Sequence, residues 1–214
     1  VVKEVVRYAR SLEKQHNKLF RFTITTNAML LDDDAIDFFN KEMYNVVVSI
    51  DGRECVHNSV RKTVTGAGSF DTAMKNALNF KTKRKGQYYV RGTYTALNKD
   101  FSKDVLFLND CGFDQISIEP VVLPDNHRLA IHKSDVPELI EEYDKLVNEY
   151  FQRRKTDKWF NFFHFMIDIY HGPCETKRLV GCGAGNEYVA IAPNGDIFPC
   201  HQFDGDSKYK IGNV

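Results

Sequence analysis

Asn45-Val46-Val47-Val48-Ser49-Ile50 is a nearly unbroken apolar run rich in β-branched residues. A strand with one wet face alternates polar with apolar, whereas a strand covered on both faces reads continuously apolar, as this one does. That is the signature of a buried strand in a parallel sheet. Upstream, Phe20-Arg-Phe-Thr-Ile-Thr-Thr26 alternates and predicts a strand. Between the two, Leu31 to Tyr44 reads as a helix with Asp32, Asp33 and Asp34 in its first turn, where negative charge favours the helix dipole.

The same grammar continues downstream. Ser69 is placed to cap a helix through Phe80, and Tyr88 to Thr95 predicts a third strand. Ser102 is placed to cap a helix ending near Cys111 and Gly112, after which Gln115-Ile-Ser-Ile-Glu-Pro120 predicts a fourth strand. From Ser134, Leu139, Ile140, Tyr143, Leu146, Val147, Tyr150 and Phe151 keep a helical spacing. At the other end, Val2, Val5, Val6, Ala9 and Leu12 mark one helix face within residues 1–18. The expected class is α/β, with parallel strands joined by right-handed crossovers in either an open doubly wound sheet or a (β/α) barrel.

Asn27, Ser49 with Asp51, Arg91 with Thr95, and Glu119 all fall near the C-terminal ends of successive strands, where barrels assemble their sites. The plainer reading is that strand ends are simply where a chain turns polar. The aromatic stretch Thr156 to Phe165 is read as core packing, with a platform for a base or cofactor as the alternative.

With 214 residues and 43% hydrophobic content the chain has material for a real core. Lys plus Arg and Asp plus Glu both number 29, so no bulk charge draws a polyanion, and nucleic acid is not an expected partner. No apolar run approaches a membrane span and the first residues lack a signal-peptide layout, so a cytoplasmic protein without a membrane partner is expected. Cysteines at 55, 111, 174, 182 and 200 suit a reducing compartment, with Cys55 and Cys111 expected as buried thiols. The Val1 start and the Gly212-Asn213-Val214 end read as cuts through a longer protein.

The segment Cys182 to Cys200 predicts a β-hairpin about Pro193-Asn194-Gly195-Asp196, because Asn-Gly supplies the positive backbone angles of a tight turn. Folding there brings Cys200 opposite the residues near Tyr188 and leaves both thiols at one open end, suited to sharing a metal. Two buried thiols or half of a zinc site read equally well from this spacing.

Cys182, twelve residues, Gly195, four residues, Cys200 resembles the opening of the SPASM motif, which goes on to further cysteines that hold auxiliary iron-sulfur clusters. In order along the chain, Thr25-Thr-Asn-Ala-Met-Leu-Leu31, Val48-Ser-Ile-Asp-Gly52, His57-Asn-Ser-Val-Arg61 and Gly66-Ala-Gly-Ser-Phe70 resemble the middle of a radical S-adenosylmethionine (radical SAM) barrel. Gly66 and Gly68 by themselves form an ordinary loop. With Arg91-Gly-Thr-Tyr-Thr95 and Gly112 to Pro120 added, the chain is most similar to radical SAM/SPASM peptide maturases, the thioether-forming SCIFF maturases in particular. Anaerobic sulfatase maturases and quinohemoprotein maturation enzymes share the skeleton.

The resemblance implies a partial (β/α)6 radical SAM barrel over residues 1–155, a connecting segment over 156–181 and the beginning of a SPASM domain over 182–214. It implies S-adenosylmethionine and [4Fe-4S] clusters as cofactors, a ribosomally made precursor peptide and a reductant protein as partners, and a 5'-deoxyadenosyl radical that prepares the acceptor carbon for a cysteine sulfur. Thr25 and Asn27 become candidates for the methionine end of the cofactor, Ser49 for its ribose, Arg61 for its carboxylate and Glu119 for substrate. Cys182 and Cys200 become cluster ligands, with Cys174 a candidate fourth. Each has a structural alternative: Asn27 as a turn cap, Ser49 as a partner to a neighbouring strand, Arg61 as an ion pair, Asp51 as a turn former. The CxxxCxxC loop that holds the family's catalytic cluster does not occur in this sequence, so the chain by itself is expected to be inactive. A peptide-binding or zinc-stabilised module is the non-catalytic alternative.

Overall fold

The computed structural model describes residues 1–166 and 181–214. The chain divides into two compact units, Val1–Met166 and Ile167–Val214.

The first unit is built on a sheet of five parallel strands in sequential order. They are β1 (Phe22–Thr26), β2 (Met43–Ser49), β3 (Gln87–Tyr94), β4 (Gln115–Pro120) and β5 (Asn161–Phe162). The helices are α1 (Val2–His16), α2 (Asp33–Glu42), α3 (Glu54–Val60), α4 (Phe70–Lys83), α5 (Phe101–Asp110) and α6 (Val136–Arg153). This is the α/β class expected from the sequence.

Alternation splits the sheet into two chemically distinct faces. Val46, Val48, Val90, Ile116 and Ile118 are fully buried and pack with Ile36, Phe80, Phe101, Leu108 and Leu146 from the helices. Residues of opposite parity, Thr25, Ser49, Arg91, Ser117 and Glu119, form the other face, and all but Ser117 keep contact with solvent. The hydrophobic face fixes the register, since a one-residue slip would bury the polar set.

Several expected boundaries change. α2 begins at Asp33 because the Asp32 carboxylate accepts the Ala35 amide, and Met43 is already strand, so the expected helix end at Tyr44 lies inside β2. Tyr44 sits at a register shift between β1 and β2 and packs beneath the Arg21 guanidinium. Ser69 is the N-cap residue of α4 as expected, but its hydroxyl donates to the Arg61 carbonyl and the Asn58 side chain accepts the Phe70 amide instead. Ser102 lies within α5, hydrogen-bonded to the buried Glu142 of α6, which ties two helices together rather than ending one. Helix α3 and strand β5 were not expected, being too short to show a periodicity. On α3, His57 points inward and Cys55, two residues earlier and so on the opposite side, is exposed, not buried. Of the aromatic stretch, Phe160 and Phe162 are fully buried, while Trp159 and Phe163 stay largely exposed.

The second unit contains a three-stranded antiparallel sheet of β6 (Ala190–Ile191), β7 (Asp196–Phe198) and β8 (Gly212–Asn213). Gly195, at φ +87°, makes the hairpin turn expected at Asn194-Gly195. β8, pairing along β7, was not anticipated. No helix among the described residues is long and apolar enough to cross a membrane.

Candidate functional site

The polar face of the sheet runs in rows set by strand register. Ser49 pairs with Arg91 and Arg91 with Ser117, so three polar side chains from β2, β3 and β4 stand side by side. One step further along, Thr93 pairs with Glu119. Thr25 on β1 lies a row below, level with Val47. Ser49 is half-buried on this face.

Asn27 and Arg61 meet at a cavity of 420 Å³ at the C-terminal end of β1, whose wall also includes Met29, His57 and Ser69. The Asn27 side-chain oxygen accepts the Met29 amide and shapes the turn after β1. The residue next to it, Ala28, is left-handed at φ +60° and fully buried, held by hydrogen bonds from Asn76 to its carbonyl and that of Met29.

Arg61 gives the Nε–Nη2 edge of its guanidinium to Asp51. Its Nε donates to Asp51 Oδ2 at 2.6 Å and its Nη2 to Asp51 Oδ1 at 3.1 Å. Asp51 is therefore more than a turn residue. It is 1% exposed, and its Oδ1 also accepts the Thr93 amide at 3.0 Å, coupling β3 to the loop after β2. The pair is two-pronged and partly desolvated, the strongest form of such a contact.

His57 locks the same wall. Ser69 spends its proton on the Arg61 carbonyl, so the 3.0 Å contact between His57 Nε2 and Ser69 Oγ requires a proton on Nε2. His57 Nδ1 is then the acceptor of the Asp51 amide at 3.4 Å. Burial pushes the imidazole pKa down, consistent with this neutral form. The loop leaving α3 is thus pinned to both α4 and the end of β2.

Glu119 heads a second constellation. Its Oε1 accepts the Ser117 hydroxyl at 2.5 Å, and its Oε2 lies 3.0 Å from His164 Nε2. Burial alone would raise this carboxyl, but the two hydrogen bonds and the charges of His164 and Arg91 bring it below its ordinary value. His164, 45 residues away in a 3-10 turn after β5, was not anticipated, and nothing local in the sequence links it to β4.

In the second unit, Cys200 is 6% exposed and Cys182 is exposed. The Tyr188 hydroxyl lies 3.8 Å from Cys182 Sγ, and the Gly185 amide is shared between the Tyr188 and Pro199 carbonyls, which draws both ends of the hairpin together. The Ala184 amide, the Tyr188 hydroxyl and its own amide pull the Cys182 thiol below the usual range. A thiol so placed is suited to metal ligation. Among the described residues no group of three or more His, Cys, Asp or Glu is arranged to hold a metal; Cys174 lies outside them.

Parallel strands covered by helices on one side, with polar residues gathered at strand ends on the other, have the arrangement of a (β/α) barrel wall. No family model matches the chain. It is 22% identical over 227 aligned residues to the cysteine-type anaerobic sulfatase-maturating enzyme of Clostridium novyi, covering 99% of this chain and 57% of that protein. Native anSMEcpe with bound AdoMet and Kp18Cys peptide superposes with a TM-score of 0.71 at 18% identity, over 98% of this chain and 59% of the other. Streptococcus suis SuiB bound to precursor peptide SuiA superposes at 0.62 and 22% identity, over 89% and 44%. The chain therefore has the fold of these enzymes and spans about half the length of each.

Proposed function

We propose that this chain is part of a radical SAM enzyme that modifies a ribosomally made peptide, joining a cysteine sulfur to a carbon of an acceptor residue as a thioether. The observation that carries the reading is the row Ser49, Arg91, Ser117 with Glu119 beside it, on the open face of a sheet whose fold is shared with AdoMet- and peptide-bound enzymes.

S-adenosylmethionine bound beside a [4Fe-4S] cluster supplies hydrogen-atom abstraction from an unactivated carbon. The residues present fit the organic part of that pair. Ser49 offers its hydroxyl to the ribose, and Thr25 and the Asn27 amide offer donors toward the methionine end. Arg61, anchored by Asp51 through its Nε–Nη2 edge, lines the cavity wall. Arg91, exposed in the same row as Ser49, is a second cation available to a carboxylate. Cys182 and Cys200 are suited to an auxiliary cluster, in what we read as the beginning of a SPASM domain over residues 182–214.

A whole protein that carries a CxxxCxxC loop would be active with a reductant protein, whereas this chain by itself would not. A sulfatase-maturing activity is the second reading, favoured by the curated relative. The test is anaerobic expression of the full-length protein, analysis for iron and acid-labile sulfide, and incubation with S-adenosylmethionine, dithionite and synthetic cysteine-containing peptides. Loss of two hydrogens with an intact, thiol-blocked cysteine sulfur supports the thioether. An aldehyde in place of the thiol supports the second reading, and zinc alone or no metal refutes both.

A further inference from the structure

Beyond the cofactor wall, one side-chain chain runs from the open face of the sheet into the layer beneath it. Tyr143 Oη lies 2.7 Å from His164 Nδ1, His164 Nε2 lies 3.0 Å from Glu119 Oε2, and the Ser117 hydroxyl donates to Glu119 Oε1 at 2.5 Å. The carboxylate at the Nε2 end can only accept, so Nε2 carries the proton of that bond.

The charged and titratable groups facing this chain come from β3 and α6. Arg91 on β3 stands next to Ser117 in register, Tyr94 on β3 packs against Phe101, and Tyr143 comes from α6. Burial first, then the hydrogen bond and charge of Tyr94 and last the Glu119 charge push the phenol of Tyr143 up; burial also raises Tyr94. Tyr143 therefore keeps its phenolic proton. Glu119 is 25% exposed and His164 21%, so the pair reaches the open face without being flooded by solvent. A carboxylate has room for about four hydrogen bonds, and among the described residues one on each oxygen is used.

We propose that Glu119 is the proton acceptor of this site, with Ser117, His164 and Tyr143 as positioning residues that keep it ionised and aimed at the bound peptide. The inference rests on the peptide-modifying reading above. In the step, a proton on a side-chain heteroatom of the peptide, the cysteine thiol in the thioether reading, passes to a free lone pair of Glu119. The S–H electron pair stays on sulfur, the carboxylate becomes the neutral acid, and no oxidant or reductant is consumed. A base must be ionised before it can act, and burial alone would favour the neutral acid; the donors on both oxygens oppose that.

The test uses the full-length, cluster-loaded enzyme with a synthetic cysteine-containing peptide that it converts, and Glu119→Gln, Glu119→Asp and His164→Gln variants. Glu119→Gln should cut peptide conversion by about a hundredfold or more, the usual weight of a general base, and Glu119→Asp should recover part of it. His164→Gln removes the imidazole charge that helps hold the carboxyl down and should move the acid limb of the pH–rate profile to higher pH, while carbon-13 NMR of the Glu119 carboxyl shows the same displacement. A merely structural role would lower the rate without moving either limb or resonance. Wild-type conversion of the peptide with Glu119→Gln equally active overturns this inference alone; a wild-type enzyme that converts no cysteine peptide overturns the functional reading beneath it. Circular dichroism separates both from misfolding.

Discussion

Asp51 and Arg61 form a two-pronged ion pair in which the carboxylate is buried and the guanidinium is 34% exposed. It closes the loop from β2 through α3 over the cavity that Asn27 lines. Removing one member of a desolvated pair leaves the other without compensation. Asp51→Asn keeps an acceptor for the Thr93 amide but loses the charge, and is expected to cost about 3 kcal/mol. Arg61→Leu strands the buried carboxylate and should cost about 2 kcal/mol, because solvent still reaches the site. Urea unfolding midpoints check both, and the order of the two costs is the sharper test.

Gly52, next in sequence, allows no side chain. A Cβ there would lie 2.3 Å from the Asp104 Cβ, and its φ of +118° disfavours any L residue. Asp104 cannot yield, being fully buried and bonded to Arg53 and Asn98. Gly52→Ala is expected to destabilise by about 2–3 kcal/mol, from strain and the disturbed network together. Equilibrium denaturation is the measurement, with Gly205→Ala, whose Cβ meets nothing and which therefore carries the backbone strain of a positive φ alone, as the comparison.

Arg53 holds the Asp100 carboxyl below the usual range through paired hydrogen bonds. A carboxyl lowered on folding adds stability that is fully present above its unfolded value, about 3.9, and is lost as pH falls through the lower folded value. Thermal stability should therefore drop on acidification below about pH 4, and the Asp100→Asn variant should show a shallower acid limb. Equal slopes in the two proteins would contradict this.

Cys182 should alkylate with a pH midpoint below the ordinary thiol value, because the Ala184 amide, Tyr188 hydroxyl and its own amide favour the thiolate. Tyr188→Phe removes one of those donors and is expected to raise the midpoint, with Cys200 slower in both proteins because it is buried. Iodoacetamide labelling followed by peptide mass spectrometry reads each cysteine separately.

Local sequence determined the α/β class and the hairpin at Asn194-Gly195, because both rest on short-range rules. The Val46 to Val48 run cannot belong to a strand with a wet face, helical spacing marks the crossovers, and Asn-Gly carries its own turn geometry. It also picked out Ser49 and Glu119 as polar residues at strand ends. What it left open were the partners, since a hydrogen bond between distant elements has no period. Tertiary structure alone decided that Arg61 pairs with Asp51, that the Ser69 and Ser102 hydroxyls bond to neighbouring elements instead of helix-end amides, and that His164 reaches Glu119. Sheet register and crossover length bring those groups within bonding distance, and burial makes leaving them unpaired costly.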